Sequence, residues 1–345
     1  MKRAIITGLG FSILLLAGCG GAGATEIWVP DDHTSIQDAV YAASSGDTII
    51  VRDGTYHENV DVNVNHLTIR SENGSGSTTV VGSIPAAAQA LTADSNGYGF
   101  NGLSDHVFDI TADYVNISGF TVTGATIESK SKAGIYIHGT TDNPALNNSI
   151  KNCTAIKNDA GIYLKGAGVK YCVIENNTCS ENEYGLRIVN AKKNDIKHNS
   201  FITNEYGIHL SNGDYNNISC NYIFNNRCGI YFKSRSTENI IECNNIIANG
   251  EYNETSGGYE WQFYNDQEED VSATNNWWGT ADNDEINASI YDWEDNPEKG
   301  DVTYLPKLGG PSSCAEIPEP VTLVMVTIGL LSLIGILYRS GVSGR

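Results

Sequence analysis

The sequence predicts an all-β chain wound into a right-handed parallel β-helix solenoid, with a short N-terminal capping helix and a C-terminal transmembrane helix. Three observations lead there. A motif recurs as Gly161-Ile162-Tyr163-Leu164, Gly185-Leu186-Arg187-Ile188, Gly207-Ile208-His209-Leu210 and Gly229-Ile230-Tyr231-Phe232, after an earlier copy at Gly134-Ile135-Tyr136-Ile137, with spacings of 27, 24, 22 and 22 residues. Inside each copy apolar and polar residues alternate (Ile208 and Leu210 in, His209 and Ser211 out), which is the strand period of two. Asparagines stand at fixed offsets from the glycines: Asn158, Asn182, Asn204 and Asn226 three residues before, and Asn177, Asn199 and Asn221 eight residues before. A unit this short and this rich in β-branched and aromatic residues is one coil stacked many times, not a helix pair. Asparagine and glycine both accept left-handed backbone at sharp corners. Stacked asparagine amides can also bond from coil to coil. These asparagines are therefore expected to hold up corners and not to form a site.

The chain begins with a targeting segment, residues 1–24, in which Lys2 and Arg3 precede the apolar run Ile5–Ala17. Two cleavage signals compete there. Leu16-Ala17-Gly18-Cys19 has the form of a lipobox that would lipidate Cys19, and Ala22-Gly23-Ala24 would release the chain at Thr25. After it, Glu26–Pro30 reads as a strand and Thr34 as the N-cap of a helix that presents Ile36, Ala39, Val40 and Ala43 on one face. That helix is expected to plug the open end of the solenoid. Gly46–Val51 returns to strand, and Leu67–Ile69, Val107–Ile110 and Val115–Val122 read as early coils. Ser83–Asp105, rich in Ala, Ser, Asn and Gly, reads as an excursion.

The β-helix domain is assigned to residues 25–308, with repeats clearest over 134–249. Asn275-Asn276-Trp277-Trp278-Gly279 closes the regular part, its tryptophans capping the core, and the acidic stretch Asp282–Asp301 follows as a tail or cover. Residues 309–320 form a linker. Val321–Tyr338 is an uncharged apolar run of 18 residues, just long enough to span a bilayer, and residues 339–345 are a basic tail. Arg339 and Arg345 would keep that tail inside.

With 41 acidic against 21 basic residues the net charge is −20, which argues against nucleic acid and anionic membrane surfaces as partners. Of eight cysteines, Cys220 and Cys243 occupy the same place in consecutive repeats and are expected to stack one coil apart. They are read either as a disulfide or, slightly favoured, as small apolar core residues, because stacked parallel strands seldom give good disulfide geometry. No C-x-x-C pair indicates zinc. Eight glycosylation sequons occur, at Asn73, Asn116, Asn147, Asn152, Asn176, Asn217, Asn253 and Asn287; only exposed copies could be modified.

Ser35-Ile36-Gln37-Asp38-Ala39, Gly46-Asp47-Thr48-Ile49, Gly54-Thr55-Tyr56, the Asn/Gly repeats and Asn276-Trp277-Trp278-Gly279 carry a resemblance over residues 26–308. They resemble the single-stranded pectin-lyase-like superfamily of right-handed parallel β-helix proteins, and more narrowly its NosD-like, periplasmic copper-binding-type members. Pro318-Glu319-Pro320, the apolar span and the terminal arginine resemble a PEP-CTERM sorting signal. That resemblance implies processing by an exosortase or archaeosortase and a surface anchor. The fold hosts lyases, hydrolases, epimerases, adhesins and inert spacers, so it implies no single activity.

Read as columns, the outward positions give Tyr136, Tyr163, Arg187, His209 and Tyr231, then His138, Lys165, Val189, Ser211 and Lys233 two residues on. Asp159, Glu183, Glu205 and Arg227 lie two residues before the glycines. The first column is the candidate ligand-binding stripe, with tyrosines for sugar faces and Arg187, Lys165 and Lys233 for uronate carboxylates. A catalytic version would use His209 or Arg187 as base and Glu183 or Glu205 as acid or cation ligand. The competing reading is a solvated sheet face with cross-strand packing and surface pairs, and it is favoured over catalysis.

No mannuronan-epimerase Asp-Pro-His motif is present. With only two methionines and seven scattered histidines copper is poorly supported, and no cofactor is expected. Calcium fits only the acidic turn around Asp282, Asp284 and Glu285, without EF-hand spacing. The expectation is an exported, surface-anchored, non-catalytic protein of envelope structure, adhesion or carbohydrate binding. The alternatives are a lyase, epimerase or hydrolase of acidic polysaccharide, and a metal-related periplasmic protein.

Overall fold

Each repeat contributes three strands, and equivalent strands of successive coils pair in parallel. The coil from residue 173 shows the plan: Val173–Glu175 in the first sheet, Thr178–Ser180 in the second and the longer Tyr184–Val189 in the third. A computed structural model describes residues 23–82, 106–126, 132–255 and 257–315. Among them the first and third sheets have nine strands each and the second has eight, and every pairing within these three is parallel. The protein is a parallel β-helix. The targeting segment with Cys19, the Ser83–Asp105 excursion, Pro318-Glu319-Pro320 and the apolar C-terminal run lie outside the described residues, apart from the last two residues of the assigned leader. Among the described residues no helix is long and apolar enough to cross a membrane.

The core runs down the middle. Ile162, Leu186, Ile208 and Ile230 are register partners in the third sheet and are fully buried. The helix Ile36–Ala42 covers the N-terminal end with Ile36, Ala39 and Val40 fully buried and Ala43 partly so. Its N-cap is Ser35, not Thr34: Ser35 Oγ accepts from Asp38 N at 3.0 Å. The Glu58 carboxylate takes the remaining first-turn donors, Ile36 N at 3.0 Å and Gln37 N at 2.9 Å. At the other end Trp278 is buried and Trp277 half-buried. The acidic stretch continues the solenoid: Ile290–Tyr291 joins the third sheet and Val302–Thr303 pairs with Val271–Ser272.

The corner asparagines do a different job from the one their conformational tolerance suggests. None of the seven is left-handed; the left-handed residue is the one immediately before each. Lys157, Glu181, Thr203 and Asn225 precede Asn158, Asn182, Asn204 and Asn226 with φ of 55–56°. That residue turns the chain and is exposed in six of the seven copies, so Lys, Glu, Thr, His and Asn all serve there at a cost of roughly 1–2 kcal/mol, and the seventh is the half-buried Cys220. The asparagine that follows points inward and stacks. Asn158, Asn182, Asn204, Asn226 and Asn249 form one ladder ending on Gln262 Oε1; Asn177, Asn199, Asn221, Asn244 and Asn276 form a second. A third, at the remaining corner, joins Asn194, Asn216 and Asn239 and was not read from the sequence.

The repeat glycines are not left-handed either. A Cβ on Gly185 would stand 2.6 Å from Gly207 O and 2.9 Å from Asn204 Nδ2, and Gly161, Gly207 and Gly229 are crowded in the same way. Glycine is required because the next coil's backbone passes too close for a methyl group.

Cys220 is not a core residue. It and Cys243 are left-handed corner residues, φ 56° and 57°, and Cys220 is bonded to Cys314 with an S–S distance of 2.12 Å. The core cysteines are Cys153, Cys172 and Cys179; Cys228 is also buried, on the outward side of the third sheet.

Candidate functional site on the third sheet

The six-residue strands of the third sheet present their outward side chains in three columns. In the central column register pairing runs Asp109, Tyr136, Tyr163, Arg187, His209, Tyr231, Tyr264, Tyr291. The expected stripe is thus one column, and it extends at both ends. On one side lie Tyr184, Tyr206 and Cys228; on the other His138, Lys165, Val189, Ser211, Lys233 and Asp266.

Neighbours in adjacent coils, and His138 two residues along the strand from Tyr136, turn ring faces toward one another. His106 and His138 both stack on Tyr136, at 3.9 and 4.6 Å between centroids, and Tyr184 stacks on Tyr206 at 5.3 Å. Tyr264 stacks on Tyr291 at 4.2 Å, and the Arg187 guanidinium lies 4.9 Å from the Tyr163 ring and 4.7 Å from that of Tyr184. Tyr136 and Tyr163 are buried, at 8% and 4% exposure. Tyr184, Tyr206, Tyr231, Tyr264 and Tyr291 are half-buried. The faces expected for sugar stacking are therefore largely spent on coil-to-coil packing, and hydroxyls, ring edges and cations face outward.

His209 is the least ordinary group. It is 7% exposed, stacked on Tyr231 at 5.2 Å and edge-on to Tyr184 and Tyr206, and its Nδ1 has no hydrogen-bond partner. Burial, then the positive charges of Arg187 and Lys233, push its pKa from 6.5 down to about 4. It is a neutral imidazole at ordinary pH, poorly matched to general-base work near neutrality. Burial likewise pushes the Tyr184 hydroxyl up to about 12 and those of Tyr136, Tyr163, Tyr206 and Tyr231 upward.

At the C-terminal end of the face Asp266 is held by Tyr231 Oη at 2.6 Å and by Lys299 Nζ at 2.5 Å. Burial, the largest single influence, would raise its carboxyl, but those two hydrogen bonds together with the charges of Lys299 and Lys233 outweigh it and hold the carboxyl below the usual range. An open cleft of about 950 Å³ continues from there, bordered by Lys233, Arg235, Asp266 and Lys299.

Glu183 and Glu205 stand at the strand entrances beside Tyr184 and Tyr206. Glu205 is bound to Arg227 at 2.8 Å, and Glu183 hydrogen-bonds Tyr184. The two occupy the same place in adjacent coils, one residue before the register partners Tyr184 and Tyr206, and Glu205 is engaged by Arg227.

Tyr184 and Tyr206 were missed because strict alternation through Gly185 and Gly207 assigns them inward; the register skips those glycines and turns the preceding residue out. Tyr264 and Tyr291 were missed because the hairpin Glu251–Asn253 with Gly258–Glu260 interrupts the period. Counting one residue back from each glycine would have found the first pair.

The expected calcium turn is a helix start: Asp282 Oδ1 accepts from Asp284 N at 2.8 Å and Glu285 N at 3.3 Å. Among the described residues no three His, Cys, Asp or Glu side chains are grouped to hold a metal ion. His106 Nδ1 accepts from Ala133 N at 3.0 Å, and His138 Nε2 lies 2.9 Å from Asp109 Oδ1. Both methionines lie outside the described residues. Among the described residues the donors do not fit a copper centre.

Pectate lyase Pel9A is similar at 14% identity, over 84% of this chain and 80% of that one, with a TM-score of 0.50. The mannuronan C-5 epimerase AlgE4 A-module of Azotobacter vinelandii is 13% identical over 80% and 93%, TM-score 0.42; pectin methylesterase PemA from Erwinia chrysanthemi is 11% identical over 64% and 81%, TM-score 0.35. At such identities a likeness shows the fold alone. No curated protein matches. One family model, described as periplasmic copper-binding protein (NosD), matches residues 40–282, well over half of the length, and the chain belongs to that family.

Proposed function

We propose that this is an exported, non-catalytic β-helix protein that binds an extended polysaccharide along the third-sheet face, held at the cell surface by its C-terminal segment. One observation carries the binding reading: the buried, unpartnered Nδ1 of His209 sits among Tyr184, Tyr206 and Tyr231, next to Arg187. A buried ring nitrogen without a partner is costly, and a sugar hydroxyl can donate to it or accept from it. Arg187 and Lys233, close enough to depress the His209 pKa, suit a ligand that carries carboxylates. Pectate lyase Pel9A, which shares the fold, supports the ligand class by analogy, and the periplasmic family description supports export.

The test is a glycan array followed by titration with the best acidic polymer. Arg187→Gln and Tyr206→Ala should each weaken binding about tenfold, the loss expected from one charge-assisted contact or one stacked edge. Unchanged binding in both variants would remove the site. Turnover of pectate or alginate that disappears in Glu205→Gln or His209→Ala would overturn the non-catalytic reading. The family description favours a second, metal-related reading; copper titration of the protein with stoichiometry by elemental analysis tests it.

A further inference from the structure

Three cysteines meet at one corner of the solenoid. Ser219 and Glu242 are register partners, so Cys220 and Cys243, the next residues, occupy the same left-handed corner in adjacent coils. Their backbones are about 4.8 Å apart, the spacing of neighbouring strands. Across them runs a strap, residues 308–315, the last described part of the chain. Its Cys314 is bonded to Cys220, with 5.1 Å between Cα atoms, and Cys314 Sγ also lies 3.7 Å from Cys243 O. Cys243 is a free, half-buried thiol.

The rest of the strap is fastened to the coil of Cys243 and the coil after it, not to that of Cys220. Asn245 Oδ1 accepts from Ser312 N at 2.8 Å, and Asn245 Nδ2 donates to Ala315 O at 2.9 Å. Leu308 N reaches Asn276 O at 3.0 Å. The disulfide and the contact of His198 Nδ1 with Cys314 O at 3.0 Å reach toward the earlier coils. The strap therefore touches both coils, with Cys314 Sγ bonded to Cys220 in one and 3.7 Å from the Cys243 carbonyl oxygen in the other.

We propose that Cys220, Cys243 and Cys314 form a thiol–disulfide exchange site at which the strap passes between two coils. The Cys243 thiolate attacks Cys314 Sγ, the Cys243–Cys314 bond forms, the Cys220–Cys314 bond breaks, and Cys220 leaves as a thiolate that takes a proton from solvent. One disulfide is present before and after, so no oxidant or reductant is consumed. Cys243 is the only free cysteine among the described residues suited to the attack. Cys153, Cys172, Cys179 and Cys228 are buried, and burial pushes their thiols up, to about 11 for Cys153 and about 12 for Cys172.

Disulfide mapping by mass spectrometry, after acid quench and alkylation, tests this on the full chain. In Cys220→Ser incubated with oxidised glutathione, the two-electron oxidant that replaces the lost Cys220–Cys314 disulfide, a Cys243–Cys314 crosslink should appear in roughly half of the molecules or more. Wild type held at mildly alkaline pH should yield both Cys220–Cys314 and Cys243–Cys314, whereas Cys243→Ser should yield only the former. A protease-resistant Cys220→Ser protein with Cys243 and Cys314 both alkylated as free thiols would overturn the proposal. If that variant does not fold, wild type showing no Cys243–Cys314 peptide at alkaline pH would overturn it equally.

Discussion

Asn204 Oδ1 accepts two hydrogen bonds from Asn182, one from its backbone N and one from its side-chain Nδ2, each at 3.0 Å. The same bifurcated contact repeats down the ladder, and each Nδ2 also serves a carbonyl of an earlier coil, Cys179 O for Asn204. The buried polar column is thereby satisfied from within, at positions where water does not reach.

Removing one rung should therefore cost more than one hydrogen bond. Asn204→Ala strands the Asn182 donors, Cys179 O and half the capacity of Asn226. A loss of about 3–5 kcal/mol is expected, since each unsatisfied buried group costs about 1–3 kcal/mol. Urea unfolding followed by tyrosine and tryptophan fluorescence checks it; a loss below 1 kcal/mol would show that the ladder is dispensable.

The glycine column makes a steric prediction. Gly207→Ala places a methyl group 2.6 Å from Gly229 O and should destabilise by about 1–3 kcal/mol, the cost of overpacking. Gly76→Ala, where nothing lies within 4 Å, should change stability by less than about 0.5 kcal/mol. Thermal melts of the two variants separate crowding from composition.

One rung is defective. Asn148 Nδ2 is buried without a partner, because its register partner in the next coil is Cys172, which offers no amide oxygen. Cys172 N still bonds Asn194 Oδ1 at 3.0 Å. Cys172→Asn should complete the third ladder from Asn148 to Asn239 and raise stability by about 1 kcal/mol, the net value of a hydrogen bond. A lower melting temperature would show that the corner cannot accept the larger side chain.

His209 predicts a pH dependence. Its folded pKa of about 4 lies below the ordinary 6.5, so the unfolded chain binds the proton more tightly and stability rises with pH across that interval. The penalty is absent above about pH 7, grows as pH falls, and is complete below about 4. Between pH 7 and 5 it amounts to about 2 kcal/mol. His209→Gln should flatten that part of the stability profile, while carboxylates held low, such as Asp266 and Asp214, still destabilise the fold at more acid pH. An unchanged slope between pH 7 and 5 in the variant would refute this.

Much of the fold was legible because the repeat writes each physical demand several times over. Ile162, Leu186, Ile208 and Ile230 recur in phase and are one buried column; Tyr136, Tyr163, Arg187, His209 and Tyr231 recur in phase and are one outward column. The site was legible as an address, not as an environment. Periodicity shows that two rings are neighbours, but not that Tyr163 ends at 4% exposure with a guanidinium beside it, nor that His209 loses its proton affinity to burial.

The sequence by itself determined the coil, its core and two of its three asparagine ladders, since strand alternation and coil-to-coil pairing act between residues a fixed distance apart. Tertiary structure alone decided which corner residue turns left-handed and where the chain after the last coil is fastened. Cys220 and Cys314 are separated by 94 residues and stand in no periodic relation, and Asn245 holds Ser312 and Ala315 likewise across the fold. Contacts of that kind depend on how a non-repeating strap packs against the finished solenoid, and a repeat carries no record of it.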